Sequence, residues 1–187
     1  MKQFLLFSLA LTITLFSACG DDDDVSPLVF IGNPDGWMIE TIESDYQAQA
    51  DAAIAGVTDE EFAAAGRTRA GVAAEYDSLV AIVTLVEPCD QDDGLFFSVE
   101  GATQLLRRFE ICENGDLNVL DVFHARAYAL NASATTITFR DVTGANPVVY
   151  DVDELSENNL SFSGTRMVSD TIVGDFSYDI QYNLIAN

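Results

Sequence analysis

Near the C-terminus, Phe176, Tyr178, Ile180, Tyr182 and Leu184 alternate with Ser177, Asp179, Gln181 and Asn183. A period of two puts the apolar side chains on one face and the polar ones on the other, as in a half-buried antiparallel strand. Such a strand needs backbone partners on its edges and a core against its apolar face. The chain supplies both. Trp37 to Ile42 reads as a first strand, opened by the turn residues Asn33-Pro34-Asp35-Gly36. Gly94 to Val99 and Thr103 to Ile111 form a pair joined at Glu100-Gly101, and Asn114-Gly115 is a strong turn signal. Leu117 to Leu130, Thr135 to Val142, Val148 to Val152 and a strand opened by Asn158-Asn159 precede the last one, with Leu160, Phe162 and Val168 as inward candidates.

This reading gives one strand before a helical insert and seven after it. Short turns between successive strands imply a meander, and eight strands closed on themselves make a small barrel. The expectation is a mainly β chain: an eight-stranded antiparallel up-and-down barrel with helices after the first strand. An open sandwich is the structural alternative.

The insert covers about residues 45–87, where the periodicity changes. Asp45 or Ser44 can cap a helix over Tyr46 to Ala55, which Gly56 stops. Thr58 and Glu61 have capping-box spacing, in which hydroxyl and carboxylate each satisfy an orphan amide. Val72, Tyr76, Leu79, Val80 and Val83 share one helical face, and Pro88 closes the segment.

Charge excludes one class of partner. Eight basic residues face 31 acidic ones, a net charge of −23, and Lys2 is the only lysine. Such a field repels phosphate backbones, so no nucleic-acid partner is expected.

The N-terminus carries an address. Lys2 precedes an apolar run from Phe4 to Phe16, then Ser17, Ala18 and Cys19. That is the order of an export signal, and the run is shorter than the roughly 20 apolar residues a membrane span needs. Leu15-Phe16-Ser17-Ala18-Cys19-Gly20 resembles a bacterial lipoprotein lipobox, with Phe16 where leucine is usual. The resemblance implies removal of residues 1–18, acylation (palmitate) of Cys19 and anchoring in the membrane through lipid. Two or more acyl chains hold a protein stably, at about 0.8 kcal/mol per buried CH₂. Asp21 to Asp24 begin an acidic tether over residues 19–27 and resemble the surface-export signal of Bacteroidetes lipoproteins, which implies the outer membrane and its cell-surface face. With Cys19 acylated, Cys89 and Cys112 are left, and two thiols in an exported protein are expected to pair. Two thiols and His124 do not fill a zinc shell. Closing that loop of about 24 residues contributes roughly 3 kcal/mol in the chain-entropy picture.

Residues 28–187 form the folded domain. Gly36-Trp37 at the first strand, Cys89-Asp90-x-Asp92-Asp93 before Leu95-Phe96-Phe97, then Gly101 and Cys112, resemble the lipocalin-like domains of Bacteroidetes lipoproteins. The adjoining Gly36 and Trp37 depart from the usual Gly-x-Trp, and the insert is longer than the usual first connection. The resemblance implies a calycin-type barrel, Trp37 packed at its closed end, and an insert placed as a lid or on the outer wall.

Two functions follow. In the first, the barrel binds a small hydrophobic or amphipathic ligand, lined by Phe162, Tyr178, Ile180 and Tyr182. In the second, the core is filled and the outer surface holds another envelope component. Asp90, Asp92 and Asp93 lack the spacing of a calcium-binding EF-hand loop and read as turn caps, and Asp151, Asp153 and Glu154 are discounted alike. His124 is the single histidine and no Gly-x-Ser-x-Gly is present, so no catalytic residue, metal or cofactor is expected.

Overall fold

The structure is a computed structural model that describes residue 29 and residues 32–106, 125–141, 143 and 147–187. The export segment, the tether, Cys112 and His124 lie outside the described residues.

Eight strands run in chain order: β1 (Trp37–Ser44), β2 (Gly94–Phe97), β3 (Thr103–Leu106), β4 (Ala127–Leu130), β5 (Thr136–Arg140), β6 (Val148–Leu155), β7 (Asn159–Val168) and β8 (Phe176–Ala186). The sheet order is β3-β2-β1-β8-β7-β6-β5-β4, antiparallel at every pairing. The two ends of that order meet through an antiparallel bridge between Ala102 and Ala127. Thr103 N–H donates to Arg126 O at 3.2 Å and Tyr128 N–H to Gly101 O at 2.8 Å. The ring is a nearly closed up-and-down barrel, as the strand count and short turns predict.

Each strand sends alternate side chains inward. On β8 these are Ile180, Tyr182 and Leu184, all buried. Two bulges reset the alternation where the apolar residues fall out of step. On β1 the register slips between Ile39 and Thr41, so that Ile39 and Ile42 both face in. On β6 it slips between Val152 and Glu154, which brings Leu155 back to the core after Tyr150 and Val152. An extra residue in one strand produces that phase change.

Trp37 opens β1 and is 1% exposed, paired with Leu95 on one side and Ala186 on the other. Just before it, Gly36 has φ +82°, which the turn requires, and its Cα lies so close to the Phe96 ring that a Cβ would meet Cζ at 2.8 Å. Asn187 N–H closes this end onto Gly36 O at 3.1 Å.

Three helices fill the insert: α1 (Tyr46–Ala55), α2 (Asp59–Ala64) and α3 (Arg69–Thr84). Ser44 settles the first cap, its Oγ accepting from Tyr46 N–H at 3.1 Å, while Asp45 makes no cap bond. The Thr58–Glu61 capping box is present. Arg69 ties the helices together. It bonds Ile54 O at 2.5 Å and Val57 O, pairs with Asp59 at 2.9 Å and stacks over Phe62 at 5.1 Å. Tyr46, Ala50, Ile54, Phe62, Val72 and Tyr76 form a second core, with Val80 against it. Leu79, expected on that face, is 38% exposed. Val83 and Val86 pack instead on the barrel core.

Candidate functional site

The four side chains expected to line a ligand cavity divide between two places. Phe162, Ile180 and Tyr182 come together in the barrel interior and are buried there. Phe162 and Tyr182 are cross-strand partners with ring centroids 5.2 Å apart. Tyr178 is not with them. It stands half-buried where the two cores meet, its ring edge-on to Tyr46 at 4.9 Å. The inward row of β8 outruns β1, so its first residues pack under the helices and not across the barrel.

The interior is an aromatic stack. Phe97 meets Tyr128 at 4.8 Å and Phe139 at 6.3 Å. Phe139 meets Tyr150 at 6.0 Å and Phe162 at 5.5 Å, and Tyr150 meets Phe162 at 5.4 Å and Tyr182 at 5.6 Å. These separations are contact distances for rings in tilted and edge-on pairs. Tyr128 donates its hydroxyl to Ser98 O at 2.9 Å, and burial raises its pKa. Gly164 makes room for the stack: a Cβ there would stand 2.7 Å from Tyr150 Cδ1.

The insert sits on the inward face of the β7–β8 hairpin where that hairpin passes its neighbours. The pairing of β1 with β8 ends at Ser44↔Ile180 and that of β6 with β7 at Asp151↔Ser163, whereas β7 and β8 stay paired as far as Val168↔Phe176. On this arm Val168, Phe176 and Tyr178, with Ile172 and Val173 at its tip, pack against the helical core. Tyr46 meets Phe176 at 6.0 Å and Tyr76 at 6.3 Å. Burial, then the nearby Tyr178, pushes the Tyr46 phenol up to about 12.

Two carboxylates fasten insert to arm. Asp45 Oδ1 accepts from Asp179 N–H at 2.7 Å, and Ser44 Oγ donates to Asp179 O at 2.7 Å. The hydrogen bond from Gln49, then that from Asp179, lowers the Asp45 pKa. Asp170 accepts from Ile172 N–H at 2.7 Å, from Val173 N–H at 2.9 Å and from Tyr76. Burial pushes its carboxyl up, but those three bonds and the charge of Arg67 outweigh it, and the pKa is lowered.

The acidic candidates separate. Asp90 is buried and its Oδ2 accepts from Glu87 N–H at 2.8 Å, the turn-capping role expected of it. Glu87, Cys89 and Asp90 bring their ligand atoms within 4.8 Å of one another, but Asp90 is committed to its turn. Asp151, Asp153 and Glu154 are exposed on β6, and Glu154 accepts from Asn159.

Sequence reasoning missed the outer face of the arm. A groove of about 360 Å³ opens where β8 leaves β1, bounded by Glu43, Asp45, Asp179 and Gln181. A second of about 410 Å³ opens where β7 leaves β6, bounded by Val149, Asp151, Ser163, Thr165 and Asp179. The only sequence signal for them is the unequal length of the strand segments.

Fold and interior together define the class: an all-antiparallel, eight-stranded up-and-down barrel with a helical insert after β1. Neither a family model nor a curated protein matches the chain.

Proposed function

We propose that this is a lipid-anchored envelope protein without enzymatic activity, whose barrel is packed by its own side chains and which holds another envelope component with its outer surface. Acylation of Cys19 places it on the outer membrane, facing the cell surface, and the acidic tether carries it clear of the lipid. A Cys89–Cys112 disulfide braces the segment from β2 to the residues beyond β3. These are the two thiols left once Cys19 is acylated, which supports the pairing in an exported chain.

One observation carries the reading. Phe139, Tyr150, Phe162 and Tyr182, on the consecutive strands β5 to β8, form a chain of ring contacts inside the barrel, and Phe97 of β2 closes on Phe139, so aromatic side chains take up space where a ligand would sit. Small barrels are often filled in this way. The barrel shape itself favours a second reading, uptake of a small apolar or amphipathic ligand, which requires those rings to part.

Native mass spectrometry of the protein released from its own membrane separates the two. No co-purifying small molecule and no binding of a lipophilic fluorescent dye are expected; a stoichiometric lipid-like adduct overturns the filled-barrel reading. Labelling with radioactive palmitate tests the anchor. Wild-type chain should take up label and Cys19→Ala none, and equal labelling of both removes the lipoprotein assignment.

A further inference from the structure

Carboxylates are spread unevenly around the barrel wall. β6 carries Asp151, Asp153 and Glu154, β8 carries Asp179, and β1 carries Glu40 and Glu43. From Ala125 to Arg140, through β4, the turn after it and β5, there is no carboxylate, and the charged residues are Arg126 and Arg140. The fold gathers this stretch on one outer face. Ile137 and Phe139 point into the core, so Thr138 and Arg140 point out, and Ala129, Thr138 and Val149 form one cross-strand row over β4, β5 and β6. Beside that row Arg140 pairs with Ala127, and Arg126 N–H donates to Arg140 O at 2.9 Å. Both arginines are exposed, as is Val149, and neither arginine forms an ion pair among the described residues. Glu100, in the turn beside β4, and Asp151, the next outward residue of β6, mark the margins.

Screening decides what such a face can do. At physiological ionic strength the Debye length is about 8 Å, so an anionic surface acts on the charges of the nearest wall and hardly on those of the opposite one. The net charge of −23 therefore does not settle how the domain stands at a membrane, and the wall it turns there does. In the sheet order β1 and β8 lie across the ring from β4 and β5. Turning Glu43 and Asp179 to anionic headgroups is repulsive, whereas turning Arg126 and Arg140 to them is attractive. The anchor permits that pose. About 18 residues separate Cys19 from Trp37, a reach of up to about 60 Å at full extension, so the barrel can approach the membrane side-on. An acidic protein surface would also suit two arginines, but the lipid anchor keeps the headgroups within reach at all times, which raises their effective concentration.

We propose that the lipid-anchored domain turns its β4–β5 face to the anionic headgroups of the membrane that carries it and presents its acidic β1–β8 side away from them. This rests on the lipid-anchor reading above and says which side is left to meet the partner. The test uses the full acylated chain from its own membrane, in nanodiscs of phosphatidylglycerol and phosphatidylcholine that include a gadolinium-chelating lipid. Amides of Ala127–Leu130 and Thr136–Arg140 should relax about fivefold faster or more than those of Trp37–Ser44, the bias that one arginine near an anionic surface gives. The difference should vanish in phosphatidylcholine alone and in the double variant Arg126→Gln, Arg140→Gln, with an unaltered melting temperature. Equal rates on both sides overturn the proposal, as does a difference that the double variant retains. A co-purifying protein that shields β4 and β5 from amide exchange until salt removes it makes a protein the occupant and overturns it as well. Those failures leave the anchor standing. A wild-type chain that leaves the nanodisc on gel filtration, as Cys19→Ala chain should, refutes the anchor and this inference together.

Discussion

Adding one methyl group at Gly164 tests the packing of the barrel most directly. Gly164 lies mid-strand in β7, and a Cβ built on it meets Tyr150 Cδ1 at 2.7 Å, Cε1 at 3.2 Å and Val149 O at 3.4 Å. The first distance is shorter than real Cβ contacts, so something must move. Tyr150 is 1% exposed and its ring is wedged between Phe139, Phe162 and Tyr182, so it has nowhere to swing. Overpacking of this kind costs about 1–3 kcal/mol. Against it, alanine in place of a mid-strand glycine regains about 0.5–1 kcal/mol of chain entropy. The net expectation for Gly164→Ala is a loss of about 1 kcal/mol, near the middle of the roughly 0–2.5 kcal/mol that those two terms leave. In a chain of this size that lowers the melting temperature by about 2–4 °C. Urea titration followed by far-UV circular dichroism measures it. Tyr150→Leu in the same chain should relieve most of the clash, so that the double variant loses less than the sum of the two singles. If Gly164→Ala is stabilising, the interior has slack beside Tyr150 and the filled-barrel argument fails.

Phe162→Ala should cost about 3–5 kcal/mol by urea unfolding, the usual penalty for removing a buried phenylalanine. It should also create a dry cavity that binds benzene or xenon, which the wild-type chain does not; a loss below about 1 kcal/mol places the ring beside a pre-existing void. Acid should loosen the insert. Asp45 and Asp170 have folded pKa values below the ordinary 3.8, so their contribution is complete above 3.8 and lost as pH falls through the folded values. The near-UV circular dichroism of the tyrosine cluster should fade in that window and less steeply in Asp170→Asn; identical curves for both proteins remove Asp170 from the account. At the alkaline end the sign reverses. Tyr46 is raised from 10.0 to about 12, so the stability it gives is intact below pH 10 and lost as pH climbs toward 12. Tyrosinate absorbance should therefore lag for part of the tyrosines, and a single unperturbed titration contradicts their burial.

Much of the fold is legible in local patterns. The alternation from Phe176 to Leu184 marks β8, and its members Ile180, Tyr182 and Leu184 are core residues. Helix α1 begins and ends where Tyr46 and Ala55 predict, because its cap and its stop are local chemistry. Strand ends were less legible. β1 runs on to Ser44 and β6 to Leu155, each past a bulge that a strict two-residue period cannot anticipate.

The candidate site divides the same way. Phe162, Ile180 and Tyr182 belong to the barrel, as their apolar period implies, but Phe162 and Tyr182 touch other rings and Ile180 also borders the groove beside β1. Tyr178 continues the same alternation and yet lies beneath the helices, since β8 outruns β1 by four residues, Phe176 to Asp179. Periodicity, turn residues and capping pairs are encoded within a few neighbours, so the residue order alone determined the number of strands, their inward faces and the place of the helices. Which rings meet in the interior and which strands overrun their partners depend on register between segments far apart in the chain. Those were decided only when the barrel closed and side chains from different strands competed for one volume.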